Sequence, residues 1–92
     1  MSSDPWLEAL KALLCALYEL WGGDCDDLKD DDPQQWHDLV RDEFDTNGAP
    51  SQGFGTLVDD LETHLASFSN CLDPSVDAAY DTLVADLQAA SQ

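Results

Sequence analysis

Ninety-two residues, 43% of them hydrophobic, suffice for one folded domain and are too apolar for a disordered acidic tail. Twenty acidic residues face three basic ones, for a net charge of −17, which points away from direct contact with nucleic-acid phosphates and from anionic membrane surfaces. The apolar stretch 6–21 is broken by Glu8, Lys11 and Glu19 and is short for a bilayer span, and no basic segment opens the chain as a secretory signal would.

Three Asp-Pro pairs stand just before apolar-periodic runs: Asp4-Pro5, Asp32-Pro33 and Asp73-Pro74. Asp caps helix N-termini and Pro suits the first helical position, so each pair predicts a helix start. Helix 1 is expected over 5–21, stopping at Gly22-Gly23. It is apolar over most of its circumference, with a thin stripe at Glu8, Lys11, Cys15 and Glu19 for water. A helix this apolar is central in a bundle or lies at a subunit contact, which leaves homodimerisation through helix 1 open. Segment 22–32 holds Asp24, Asp26, Asp27, Asp30, Asp31 and Asp32, a density of like charge that predicts an extended, solvated linker.

Helix 2 is expected over 33–45. Gln35 stands three residues after Asp32 as a capping-box partner. Trp36, Leu39, Val40 and Phe44 make the inner face, and Asp38, Asp42 and Asp45 share another. Asn47-Gly48 ends the helix, and 49–53 reads as loop. Helix 3, over 54–70, carries Phe54, Val58, Leu61, Leu65, Phe68 and Leu72 on a near-heptad seam, with Asp59 and Asp60 off it. Helix 4, over 74–89, carries Val76, Tyr80, Leu83, Val84 and Leu87, with Asp77, Asp81 and Asp86 off the stripe. No run alternates like a strand. The fold expected is all-α, a single-domain small bundle of about four helices with up-down neighbours.

No stretch of the chain matches a catalytic or metal-binding pattern. Cys15, Cys25 and Cys71 match no zinc spacing with His37 or His64. Free thiols in a reducing cytoplasm are expected, with a Cys25–Cys71 bridge as the alternative. His37 is expected in solvent near the start of helix 2, and His64 partly buried at the edge of the helix 3 seam. Asp45 and Asn47 begin like a calcium loop, but Ala49, Pro50 and Thr56 fall where a ligand, a glycine and a glutamate are needed. There is no nucleophile motif and no phosphate-binding glycine loop. No enzyme, cofactor or metal is therefore expected. Trp6, Trp21 and Trp36 are expected in or beside the core, with Trp21 the most exposed.

The charge is what remains. Carboxylates four apart on a helix stand about 5–6 Å from one another at Cβ, the order of phosphate spacing along a strand. Rows such as Asp38/Asp42/Asp45 and Asp77/Asp81 are suited to fill a basic groove. In size and charge the chain resembles the small acidic inhibitors with which phages block restriction, repair or CRISPR effectors. The leading expectation is a non-catalytic DNA or RNA mimic that inhibits a basic nucleic-acid-binding protein, such as a nuclease or CRISPR-type effector. The candidate contact residues are Asp24, Asp26, Asp27, Asp30, Asp31, Asp38, Asp42, Asp45, Asp59, Asp60, Asp77 and Asp81. The same physics fits an immunity protein or antitoxin against a basic toxin. Sixteen Asp against four Glu, with few Lys, also fits a halophile-type interaction protein whose charge is adapted to solvent. A soluble, cytoplasmic protein is expected, in the host cytoplasm if viral.

Overall fold

The computed structural model describes residues 5–50, 53–67 and 72–91. Four α-helices and one short 3-10 turn follow in order: α1 (Pro5–Leu20), the turn η1 (Cys25–Asp27), α2 (Pro33–Asn47), α3 (Phe54–Ala66) and α4 (Pro74–Ser91). There is no strand among the described residues. The radius of gyration is 12.2 Å, matching the ~12 Å of a compact chain this long.

The helix starts obey the Asp-Pro logic where they are described. The Asp32 side chain accepts a hydrogen bond from Gln35 N at 3.1 Å, with Pro33 in the first turn, and Asp73 O accepts from Asp77 N at 2.9 Å to open α4. Asp4 lies outside the described residues. The expected capping box closes only halfway. Gln35 turns its amide toward the preceding loop, accepting from Lys29 N at 3.0 Å and donating to Asp27 O at 2.8 Å. Those loop groups have no helical partners of their own, so they compete for the side chain.

The helix ends differ from expectation: α1 stops one residue early, at Leu20, and α4 runs two residues on, to Ser91. α2 runs on to Asn47 and stops where Gly48, at φ +69, turns its N–H back to Phe44 O at 2.8 Å. The would-be calcium residues Asp45 and Asn47 are thus the last turn of a helix. α3 ends at Ala66, because Ser67 leaves helical geometry at ψ 138 while its N–H still reaches His64 O. Phe68, expected on the seam, lies outside the described residues.

The core is Leu10, Leu14 and Leu17 from α1, Trp36 and Val40 from α2, Phe54, Val58 and Leu61 from α3, and Tyr80, Leu83, Val84 and Leu87 from α4. Leu39, Phe44, Leu65, Leu72 and Val76 pack partly buried around it. α1 packs against α2 and α3, and α4 packs against the same two. The pairs α1/α4 and α2/α3 therefore sit on diagonals. This corrects the up-down expectation. α2 and α3 are neighbours in sequence but not in space, and Gly48 and Gly53, between them, both take positive φ.

The apolar width of α1 is absorbed within one chain. Leu10, Leu14, Leu17 and Tyr18 are buried, and much of the outward face is alanine. Leu20, at 36% exposure, is the one exposed large hydrophobic among the described residues. Trp21 is half-buried beside the core, as expected, while Trp36 is buried. The Trp21 indole N–H donates to Gly48 O at 2.8 Å, and its ring meets Phe54 edge-on with centroids 6.1 Å apart. A carbonyl just past a helix end needs a donor, and Trp21 supplies it.

Candidate functional site

The acidic segment after α1 is ordered. The chain reverses at Gly22, which adopts φ +87, and at Gly23, where any Cβ would meet the Tyr18 ring at 2.5 Å. Asp24 then caps η1, its carboxylate accepting from Asp26 N at 2.9 Å. Leu28 inserts into the core at 3% exposure. Cys25 is joined to Cys15 of α1 by a disulfide with Cα atoms 5.2 Å apart.

Polar contacts complete the attachment. Tyr18 Oη donates to Asp27 at 3.2 Å, Lys11 Nζ meets Asp30 at 2.7 Å, and the Trp36 indole N–H donates to Lys29 O. The linker is solvated as expected, with Asp24, Asp26, Asp27, Asp30 and Asp31 exposed, but the expectation that it is extended is corrected. One leucine, one disulfide and a few directed hydrogen bonds outweigh exposed like charges that water and salt screen. The disulfide likewise corrects the expectation of free thiols at Cys15 and Cys25, and it uses the cysteine that a Cys25–Cys71 bridge would need; Cys71 lies outside the described residues. The signal for this pairing was present. Cys15 lies on the outward stripe of α1, and a Gly-Gly reversal brings the following segment back along that stripe.

All twelve candidate aspartates are exposed, and the fold sorts them into two groups. Asp24, Asp26, Asp27, Asp30 and Asp31 lie on the anchored loop, which leads through the Asp32 cap into the α2 row of Asp38, Asp42 and Asp45. Asp59 and Asp60 ride on α3, diagonal to α2. Asp81 lines a groove of about 340 Å³ between α3 and α4 together with Glu62, and Asp77 lines a smaller one beside Trp6 and Leu65. The eight loop and α2 residues make one continuous stretch of chain; the other four stand on α3 and α4.

Few cations neutralise the first group. Lys11 and its hydrogen bond hold the Asp30 carboxyl below its usual range. The hydrogen bond with His37, 3.0 Å away, does the same for Asp38, helped by Gln34. Arg41 spans Asp45 on its own helix at 3.4 Å and Asp86 of α4 at 2.7 Å, tying the two helices together. No buried polar or charged residue occurs among the described ones, and Glu8, Asp26, Asp30 and Asp31 line an open pocket beside Lys11, Cys15 and Cys25.

His37 is not the solvated residue expected. Its side chain is 13% exposed and meets the Tyr80 ring edge-on at 5.4 Å, because the first turn of α2 lies over α4, where Tyr80 Oη donates to Pro33 O at 2.6 Å. His64 is partly buried as expected, stacked on Trp6 at 4.5 Å with Nε2 2.9 Å from Trp6 O. Among the described residues no helix is long and apolar enough to cross a membrane. Compared with protein-family models, curated proteins and solved structures, the chain matches none of them.

Proposed function

We propose that this protein is a non-catalytic charge mimic that binds and inhibits a basic, nucleic-acid-binding protein, and that the loop 24–32 with α2 is its contact face. The observation that carries this reading is the anchoring of the acidic loop. A floppy acidic segment loses conformational entropy on binding, whereas one already held by Leu28, the Cys15–Cys25 bridge and the Tyr18–Asp27 hydrogen bond has lost it on folding. A fixed array of carboxylates on a compact body presents a groove for DNA or RNA with charge at set positions, and its long-range field speeds capture.

The test is affinity capture from a lysate of the organism in which the protein acts, followed by competition. The captured protein should be basic, should bind nucleic acid, and should release the acidic protein when duplex DNA, RNA or salt is added. Lysine at Asp26, Asp30, Asp38 and Asp42 together should abolish capture while the helical circular dichroism stays intact. Capture that is indifferent to nucleic acid, to salt and to this reversal would sink the reading.

A further inference from the structure

Cys15 and Glu19 are four residues apart on α1 and so project from one side of the helix. Cys25 comes back beside them at the first residue of η1. The two Sγ atoms and a Glu19 carboxylate oxygen all lie within 4.8 Å of one another. The cysteines are half-buried and Glu19 is exposed, so the cluster has a packed floor and an open mouth. We propose that the dithiol form of this protein binds one divalent cation of the zinc class through Cys15 Sγ, Cys25 Sγ and the Glu19 carboxylate. The disulfide and the metal-bound dithiolate are then alternative states of the same two sulfurs.

The donor set selects the cation. Two thiolates and one carboxylate suit zinc and its soft neighbours and are foreign to calcium or magnesium, which take oxygen ligands only. In a tetrahedral site with Zn–S bonds of about 2.3 Å, two sulfurs stand about 3.8 Å apart. With Cα atoms 5.2 Å apart, the freed thiols gain that separation by turning about their Cα–Cβ bonds, without a shift of α1 against η1. Three protein ligands leave the fourth position, at the open mouth, to water. The surroundings favour a cation, since Asp24 and Asp26 flank Cys25 in a chain of net charge −17. The cluster escapes a search for zinc spacings because its close pair is Cys–Glu on a helix rather than Cys–Cys or Cys–His.

The chemistry balances in two steps. A thiol reductant of the glutathione or dithiol class gives two electrons and two protons to the Cys15–Cys25 bond, which opens to two thiols while the reductant leaves as its own disulfide. The cation then forms two metal–sulfur bonds, and the two thiol protons pass to solvent. The site uses the same two sulfurs that anchor the acidic loop, but its test needs no partner protein and reads metal uptake alone.

The test uses the full chain with Cys71→Ser, so that Cys15 and Cys25 are the only thiols. The reduced protein is titrated with Zn²⁺ against a chromophoric chelator, and with Co²⁺ to read sulfur-to-metal charge transfer. One ion per chain, release of two protons and shielding of both thiols from a disulfide reagent are expected, with no uptake by the oxidised protein. Glu19→Gln should weaken binding about tenfold or more, at least the loss seen for outer-shell partners of metal ligands. Circular dichroism guards against unfolding: if reduction costs helix, Zn²⁺ should restore it. Thiols that react equally fast with and without Zn²⁺, equal uptake by oxidised and reduced protein, helix lost on reduction and not restored by Zn²⁺, or unchanged affinity in Glu19→Gln would each overturn the site.

Discussion

Reduction of the Cys15–Cys25 bridge in metal-free buffer isolates what the covalent link does for the acidic loop. The bridged residues are 10 apart in sequence. For a closed loop of that size, the entropy removed from the unfolded chain amounts to about 2.8 kcal/mol at 25 °C. A chain of this length has about 5–14 kcal/mol of stability in all, so the bridge accounts for a substantial share. Reduction should lower the melting temperature by about 11–22 °C and move the urea midpoint down at nearly constant slope. The loop keeps Leu28 in the core and the Tyr18–Asp27 hydrogen bond, so the helical signal should survive at 20 °C while amides of 24–30 exchange faster with solvent. Cys15→Ser should match the reduced parent, and Cys71→Ser should match the oxidised parent. Identical urea midpoints with and without reductant would refute the reasoning, because they would mean that the bridge does not constrain the chain.

Further expectations follow from the same packing. Gly23→Ala drives a methyl into the Tyr18 ring, which is buried and has no free end to swing away; urea melts should register a loss of about 1–3 kcal/mol. Gly22→Ala meets no atom within 4 Å but keeps φ at +87, so its loss should be smaller, about 1–2 kcal/mol, and come from the backbone alone. Burial raises the Tyr80 phenol well above its ordinary 10.0, and burial with the hydrogen bond to Asp27 raises that of Tyr18. A folded-state value above the unfolded one means stability that is full below about pH 10 and lost as pH rises beyond it. The Tyr80 phenol should therefore ionise only with loss of helix in an alkaline titration; tyrosinate signals from both tyrosines while the helices persist would contradict its burial. If the charge were adaptation to brine, helix would be lost in dilute buffer and return in molar salt, where screening shortens to about 3 Å; the packed core predicts full helicity without added salt.

The helices were legible because their signals are local. Asp-Pro starts, the Asn47-Gly48 stop and the apolar spacing of α2, α3 and α4 lie within a few residues of what they specify. What escaped reading depends on contacts across the chain. The order of the 24–32 loop comes from Leu28 meeting the core and Cys25 meeting Cys15, and composition reports only its charge. His37 departs from expectation for the same reason, since its cover comes from Tyr80 of α4, and the partner of the Trp21 indole, Gly48 O, is likewise distant in sequence. The diagonal placement of α2 and α3 depends on which helices pack together, which no single helical pattern encodes. The twelve candidate aspartates are all exposed, yet only the fold divides them into a loop-and-α2 stretch and a separate α3/α4 group.

That division makes the contact face testable. The measurement is the salt dependence of binding to the captured partner for three proteins: the parent, a variant with lysine at Asp26, Asp30, Asp38 and Asp42, and one with lysine at Asp59, Asp60, Asp77 and Asp81. A charge-mimicking face on the loop and α2 predicts affinity that falls steeply with salt for the parent and for the α3/α4 variant. It predicts weak, nearly salt-independent binding for the loop-and-α2 variant. A parent affinity that is flat across salt, or a loop-and-α2 variant that binds as the parent does, would contradict it.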